Sequence, residues 1–220
     1  MALVRATPIN LNQITNQIIN LQQFHFPTAW SVINGGMSSS LDAVEQGCSV
    51  CEVEQCDGTV GYGGSPDESG NTTLDAMIMD GDSHDVGSVG CLKNIRSAIS
   101  VARSVMVHTR HTLLVGDDAT RFAKQMGFKE QSLETNRSLN IWKSWKKNKC
   151  QPNFWKMVHP DPKTSCGPYK PDNSRMFTYR REDTSFATEH NHDTIGMIVI
   201  DDAGTVAAGT TTNGADHKIP

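Results

Sequence analysis

Helical and strand spacings of apolar residues alternate along the middle of the chain. A first set recurs at steps of three and four: Leu41, Val44, Cys48 and Cys51. This spacing is typical of one buried helix face, and Ser39 lies where a side chain can cap the helix at its start. The stretch 74–80 then alternates as a strand does. We predict a helix from about residue 39 and a strand that ends before Gly81.

A second helix, a short strand and a third helix follow in the same pattern. One apolar face has helical spacing: Ile95, Ala98, Ile99, Ala102, Val105 and Met106. The segment HTLLVG predicts a short buried strand that ends at Gly116. Asp117 or Asp118 is predicted to cap the next helix, and Gly127 is predicted to close it.

The end of the chain predicts a β-hairpin. Two apolar segments, 194–201 and 205–212, are joined by Asp202-Ala203-Gly204, which is typical of a short glycine turn. Before it, residues 150–171 hold several prolines and two cysteines and predict an irregular loop, while the polar stretch up to Asp193 predicts an exposed linker. The succession of elements indicates sheets covered by helices, in an α/β or a layered α+β arrangement.

Two other segments carry no regular pattern. Residues 1–27 are rich in Asn and Gln, and their apolar residues have mixed spacing, so we predict a poorly specified N-terminal segment. Residues 58–70 contain five glycines and a proline. That composition predicts a loop rich in turns, with backbone conformations that other residues avoid.

Composition and charge narrow the choice of partners. At 220 residues the chain is long enough for one domain with its own core. The net charge of −4 argues against a nucleic-acid or anionic-membrane partner, and no apolar run reaches membrane-spanning length. Residues 1–13 lack the apolar core of a secretory signal peptide. The expectation is a cytosolic protein, or a chain whose natural N-terminus lies further upstream.

One stretch is strongly basic, in contrast to the net negative charge of the whole chain. Residues 143–149, KSWKKNK, interleave lysines with Trp145, and Trp142 directly precedes them. Basic and aromatic residues together can form a stacking surface for nucleic acid. The alternative, which we favour, is a solvated helix face with two tryptophans packed beneath it.

The six cysteines allow two interpretations. Cys48, Cys51 and Cys56 resemble part of a zinc site, although no second pair with that spacing follows. The alternative is two short disulfide loops, Cys51–Cys56 and Cys150–Cys166, which require an oxidising compartment. Sequons at Asn71 and Asn136 agree with that compartment but also arise by chance. The cysteines therefore favour a secretory or lysosomal protein.

The strand that begins at Thr194 offers specific chemistry. A threonine hydroxyl is a weak nucleophile unless a base lies beside it, and the α-amine of an N-terminal threonine is such a base. Attack of the Thr194 hydroxyl on the carbonyl of Asp193 would create that terminus, with Asp193 and His192 assisting proton transfer. The alternative is an ordinary turn followed by a β-branched strand residue. His190, His192 and Asp193 could also ligate a metal, but polar histidine-rich linkers are mostly solvated.

Five strings carry a resemblance to a known family: residues 48–81, 111–117, 150–156, 159–171 and 192–214. Across residues 28–220 the chain resembles the glycosylasparaginases, which are N-terminal-nucleophile amidohydrolases of the lysosome. The resemblance implies that Thr194 is the nucleophile and that the Asp193–Thr194 bond is cut by autoproteolysis, with His192 in the processing motif. Thr212 matches a threonine whose hydroxyl lies beside the nucleophile. Thr59 stands where the family can carry a serine near the cleavage site.

The resemblance also implies the fold and the organisation of the chain. It implies an α+β four-layer αββα sandwich, incomplete at the C-terminus, with a heavy-chain region 28–193 and a light-chain region 194–220. Cys51–Cys56 and Cys150–Cys166 match family disulfides, while Cys91 is additional. Neither a cofactor nor a metal is implied. The implied ligand is a small-molecule glycoasparagine, with no nucleic-acid or membrane partner, and a homo-oligomer of processed chains is compatible with the family.

Two departures from the family pattern affect the expected activity. After Pro220 the family carries the Arg and Asp that hold the substrate's α-carboxylate and α-amine, followed by a glycine-rich segment that provides the oxyanion hole. The substrate-binding residues are therefore not assigned here. An early Asn-Thr-Trp pocket motif also has no clear match, since residues 5–10 occupy its place without the tryptophan.

Three functions remain open at this point. The first is an amidohydrolase that cleaves the amide between the asparagine side chain and N-acetylglucosamine. The second is an inactive homologue that at most binds a partner. The third is a plain L-asparaginase, which relaxed specificity at the missing tryptophan would favour.

Overall fold

A computed structural model describes residues 2–5, 22–34, 39–56, 58–172 and 194–220. The helices are α1 (Gln22–Asn34), α2 (Ser40–Glu54), α3 (Ala98–His108), α4 (Gly116–Gln125) and α5 (Asn136–Lys147). The strands are β1 (Ala2–Arg5), β2 (Leu74–Asp80), β3 (Val86–Leu92), β4 (Leu114–Val115), β5 (Val158–His159), β6 (Lys170–Pro171), β7 (Thr194–Ile200) and β8 (Val206–Thr212).

Six strands form one mixed sheet in the order β1-β7-β8-β2-β3-β4, and β5 pairs with β6 separately. The central strands β7, β8, β2 and β3 are antiparallel, whereas the outer strands β1 and β4 pair in parallel with β7 and β3. The α+β content expected from the sequence is confirmed. The predicted hairpin is confirmed as well, since β7 and β8 flank the turn that contains Gly204.

Ser39 caps the helix α2, as its sequence predicts, and the structure shows a full capping box with Asp42. Ser39 Oγ accepts a hydrogen bond from the Asp42 amide, and the Asp42 carboxylate accepts one from the Ser39 amide at 2.9 Å. The buried side of α2 includes Val44 and Cys48 and packs against β7 and β8. The neighbouring helix α3 packs against β2 and β3. Together they bury one face of the sheet.

The other face of the sheet is only partly covered. Along β7, β8 and β2, buried residues alternate with half-exposed ones, as expected for strands with one face in a core. The half-exposed positions include apolar side chains: Met77, Met79, Ile198, Ile200 and Ala208. The helix layer therefore covers only one side of this sheet within the described residues.

Two local expectations differ from the structure. The strand β4 has only two residues and lies at a sheet edge, so Val115 is 55% exposed instead of buried. Neither Asp117 nor Asp118 caps α4, because the helix already begins at Gly116 with Val115 as its N-cap. Of the N-terminal segment 1–27, the structure describes β1 and the first residues of α1.

The disulfide interpretation of the cysteines is confirmed. Disulfides join Cys51 to Cys56 and Cys150 to Cys166, whose Cα atoms lie 5.0 and 5.2 Å apart. The zinc interpretation fails because two of its three cysteines are bonded to each other. Cys48 is a buried free thiol and Cys91 is a half-buried one.

Removing the second disulfide should destabilise the fold measurably. It closes a loop with a sequence separation of 16 residues, so the double change Cys150→Ser and Cys166→Ser should lower the free energy of unfolding by about 3 kcal/mol. Urea unfolding measures the difference. The control is Cys91→Ser, which replaces a free thiol and should stay within about 0.5 kcal/mol of the unchanged chain. Equal losses in both variants would contradict the prediction.

The basic segment 143–149 overlaps the end of α5, and both Trp145 within it and Trp142 before it contact the rest of the chain. Trp145 is only 6% exposed. The Trp142 indole N–H donates to the Glu68 carbonyl at 3.0 Å. The helix-face interpretation therefore accounts for these tryptophans without a nucleic-acid ligand. No helix in the described ranges has both the length and the apolar character to cross a membrane.

Candidate functional site

The register of the β7–β8 hairpin brings two threonines together at one end of the sheet. Thr194, the first residue of β7, is directly opposite Thr212, the last residue of β8. Residues opposite each other in an antiparallel pair project their side chains to the same face. Thr194 Oγ1 donates a hydrogen bond to Thr212 Oγ1 at 3.2 Å. Thr194 is an exposed residue within the described part of the chain.

A backbone amide fixes the second hydroxyl. The Gly214 amide donates to Thr212 Oγ1 at 2.9 Å, next to the bond from Thr194. With both lone pairs of this oxygen used, the hydroxyl hydrogen of Thr212 needs a different acceptor. Thr212 Oγ1 is therefore an oriented acceptor for the Thr194 hydroxyl. Its own hydroxyl hydrogen remains available to a further acceptor.

The row of polar side chains extends onto the next strand. Asp75 on β2 is opposite Thr212, so Thr194, Thr212 and Asp75 follow one another across three strands on one face. Asp75 Oδ1 accepts a hydrogen bond from the Cys91 amide at 2.7 Å. The carboxylate is thereby held at the end of the sheet beside the two hydroxyls.

The residue after Thr212 holds the glycine-rich loop to the same end of the sheet. Asn213 is fully buried, and its amide donates to the Thr59 carbonyl at 2.9 Å. Its side-chain NH₂ donates to the Gly61 carbonyl. Thr59 thus lies against the end of β8, although it is 153 residues before Thr212 in the sequence. The loop 58–64 and the hairpin form one unit at this point.

A lysine completes the turn after β8. Lys218 Nζ donates to the Asn213 carbonyl at 2.5 Å. Burial lowers the pKa of Lys218, while the carboxylates of Asp75 and Asp67 act in the opposite direction. The half-buried ammonium therefore balances the charge of Asp75 next to the threonine pair.

The structure brings two of the predicted site residues, Thr194 and Thr212, into contact, and the Thr59 carbonyl is bonded to Asn213, the residue after Thr212. His192 and Asp193 lie outside the described residues, as does His190. In the described part of the chain, no group of three or more His, Cys, Asp or Glu side chains is arranged to hold a metal ion. The geometry that can be described is a pair of hydroxyls beside a carboxylate and a half-buried lysine.

Sequence reasoning missed four residues near this site: Glu52, Asp75, Asn213 and Lys218. Glu52 had a visible signal, since it lies four positions after Cys48 and so on the predicted buried face of α2. Asp75 had none, because its place beside Thr212 depends on the register between β2 and β8. Asn213 and Lys218 belong to a turn whose hydrogen bonds a spacing pattern does not encode.

Comparison with known proteins gives consistent matches. A family model described as asparaginase matches residues 12–220. The N(4)-(beta-N-acetylglucosaminyl)-L-asparaginase of Mus musculus is 56% identical over 193 residues, covering 87% of this chain and 54% of the mouse protein. The Rattus norvegicus protein of the same name is 56% identical over 191 residues, with the same two coverages. The chain spans about half the length of the curated relatives it matches.

Proposed function

Because this chain belongs to the asparaginase family, we propose that it supplies the self-cleaving segment and the nucleophile of a glycosylasparaginase-type amidohydrolase. The substrate is an asparagine whose side-chain amide carries N-acetylglucosamine, the linkage in the names of the mouse and rat relatives. The observation that carries the proposal is the hydrogen bond between the hydroxyls of Thr194 and Thr212 at the open end of the sheet.

The first step is autoproteolysis at Asp193–Thr194. The Thr194 hydroxyl oxygen attacks the carbonyl carbon of Asp193, the peptide C–N bond breaks, and the hydroxyl proton passes to the departing amine. The product is an ester between Asp193 and Thr194 Oγ1. Water then hydrolyses this ester, which frees the carboxylate of Asp193 and restores the Thr194 hydroxyl. His192 and Thr59 assist this step.

The second step uses the new N-terminus. The α-amine of Thr194, with a reference pKa near 8, takes the proton of its own hydroxyl as the oxygen attacks the side-chain amide of the substrate. The glycosylamine leaves with a proton, and an aspartyl ester remains on Thr194. Water cleaves the ester to aspartate. Thr212 orients the attacking hydroxyl, since its oxygen is itself held by the Gly214 amide.

The same proposal accounts for the uncovered face of the sheet. In a four-layer αββα sandwich a second sheet packs on this face, and the half-exposed side chains of Met77, Met79 and Ile198 give it an apolar surface to pack on. The aligned residues make up only 51% and 54% of two of these relatives, so the relatives have residues that could form such a sheet. The two disulfides support a lysosomal or secretory location.

Intact mass of the purified, folded chain tests the first step directly. Autoproteolysis should convert the chain into two fragments, residues 1–193 and 194–220. Edman sequencing of the smaller fragment should begin at threonine. A chain that is folded by circular dichroism and stays uncut for days contradicts autoproteolysis by this chain.

Turnover tests the second step and separates the substrates. Release of aspartate from N-acetylglucosaminyl-asparagine should exceed release from free asparagine. Equal or greater turnover of free asparagine would assign a plain asparaginase instead. A cleaved chain with turnover of neither substrate would mean that the described site processes itself but lacks the rest of the catalytic machinery.

A further inference from the structure

A buried carboxyl lies directly behind the threonine pair. Glu52, near the end of α2, is 2% exposed. Its Oε1 accepts a hydrogen bond from Thr211 Oγ1 at 2.7 Å and another from the Ile99 amide at 2.9 Å. Thr211 precedes Thr212 and projects to the opposite, buried face of β8. Glu52 therefore joins α2, the start of α3 and the end of β8.

The second oxygen of this carboxyl has no partner. Glu52 Oε2 is buried and makes no hydrogen bond within the described residues. An ionised carboxylate with one bare oxygen in a dry interior is costly, whereas the neutral acid leaves one uncharged O–H group unpaired, which costs much less than a buried charge. The contacts thus suit a protonated Glu52, whose carbonyl oxygen serves both donors.

We propose that Glu52 is a positioning residue for the threonine pair, and that its protonated form holds Thr211, and with it Thr212, in register with Thr194. Ionisation of this carboxyl draws water between α2, α3 and β8 and loosens the end of β8. The inference rests on the proposed function of Thr194 and Thr212. It adds that the site works better at a pH low enough to keep Glu52 protonated.

The groups around Glu52 reinforce the effect. Burial raises the pKa of Glu52 to about 7, against the hydrogen bonds from Thr211 and Ile99 and the nearby backbone amide of Ala98, which act to lower it. On its own helix Glu45 acts in the same direction as burial, and the buried Cys48 thiol is uncharged because its pKa lies well above its usual value. The elements α3 and β8 contribute a backbone amide and a hydroxyl. Arg103, the nearest cation of α3 to this helix, is paired with Asp42 and Glu45.

The direction of the pH effect follows from these values. An unperturbed glutamate titrates near 4.5. Between that pH and about 7, the folded chain holds one proton more at Glu52 than the unfolded chain does. Folding stability contributed by this group is therefore full below pH 4.5 and falls as the pH rises towards 7.

The test compares the unchanged chain with Glu52→Gln, which mimics the neutral acid. The rate of cleavage at Asp193–Thr194 and the rate of turnover are measured from pH 5 to pH 8.5. The ratio of the variant rate to the unchanged rate should rise about tenfold between pH 6 and pH 8, because the protonated fraction of a group titrating near 7 falls about tenfold over that interval. Taking the ratio cancels other titrating groups, such as the Thr194 amine.

Two further variants separate positioning from general stability. Thr211→Val removes the hydroxyl that favours the ionised carboxyl, so the rates should fall at every pH while the midpoint of the pH profile moves upward. Glu54→Gln removes an exposed carboxyl from the same helix and should leave the ratio flat. A flat ratio for Glu52→Gln, in a chain that does cleave itself, would overturn the inference.

Thermal melting keeps the inference testable if the chain shows neither cleavage nor turnover. The melting temperature of the unchanged chain should then still fall more between pH 5 and pH 8 than that of Glu52→Gln. That result supports the ionisation of Glu52 while the proposed function fails. Parallel melting curves across this pH range would overturn the inference whether or not the chain is active.

Discussion

Replacing Thr194 with alanine is expected to leave the chain uncut and to reduce any amide hydrolysis on the order of 10⁴-fold or more. The substitution deletes the only atom of this residue that can attack the Asp193 carbonyl or the substrate amide. It also removes the hydrogen bond to Thr212. Intact mass gives the first result, and release of aspartate from N-acetylglucosaminyl-asparagine gives the second.

Two controls make the Thr194 result specific. Thr194→Ser keeps the hydroxyl and should still cut the chain, more slowly, because the lost methyl group leaves the hydroxyl rotamer less restricted. Thr210→Ala makes the same chemical change on the same face of the hairpin, two residues before Thr212 on β8. It should leave cleavage within a few-fold of the unchanged chain. Cleavage that persists in Thr194→Ala would mean that a different group attacks the bond.

Changing Thr212 to valine should have a smaller effect than removing Thr194. Valine keeps the shape of the side chain but cannot accept the hydrogen bonds from Thr194 and from the Gly214 amide. The nucleophile remains but loses its orientation, so turnover should fall about 10²- to 10⁴-fold, within the range of general acid–base and positioning effects. A rate equal to that of the unchanged chain would show that the observed hydroxyl contact has no part in the chemistry.

Local sequence signals predicted the helix and the hairpin that carry the site. Contacts between distant parts of the chain decided which other residues lie in it. The capping box at Ser39 and the glycine turn before β8 are encoded within a few residues, so α2 and the hairpin could be predicted. The hairpin register then follows, and it places Thr194 opposite Thr212. Asp75 could not be predicted, because nothing local specifies that β2 pairs with β8 so that Asp75 follows Thr212.

Three strands were missed or wrongly described from the sequence because their formation depends on pairing with distant strands. The strand β3, VGSVGCL, contains small residues in place of the usual β-branched ones, which weakens its pattern. The short strand β1 becomes a strand only through parallel pairing with β7. The strand β4 was predicted as buried from its apolar residues, but it is an edge of two residues, and the following glycine already belongs to α4. Tertiary pairing, which single-sequence patterns do not contain, decided each case.

Gly61→Ala is expected to cause the largest loss of stability among single substitutions near the site. Gly61 has φ +77°, a conformation that costs an alanine about 1–2 kcal/mol. An added Cβ would also lie 2.0 Å from the Glu52 carbonyl oxygen, which is backbone of α2 and has no flexible end to move aside. The combined loss should exceed about 3 kcal/mol of unfolding free energy. Urea unfolding followed by circular dichroism measures it.

Gly127→Ala separates the two contributions. Gly127 has a similarly positive φ of +92°, but an added Cβ there meets no atom within 4 Å. Its loss should therefore be about 1–2 kcal/mol, the backbone cost alone. The difference between the two variants is the cost of the clash with α2, and this clash should also displace the loop that Asn213 ties to Thr59. If Gly61→Ala loses no more stability than Gly127→Ala, the loop does not pack on α2 as closely as the structure has it. If it loses more stability but cleaves the chain at the unchanged rate, the loop does not position the bond at Thr194.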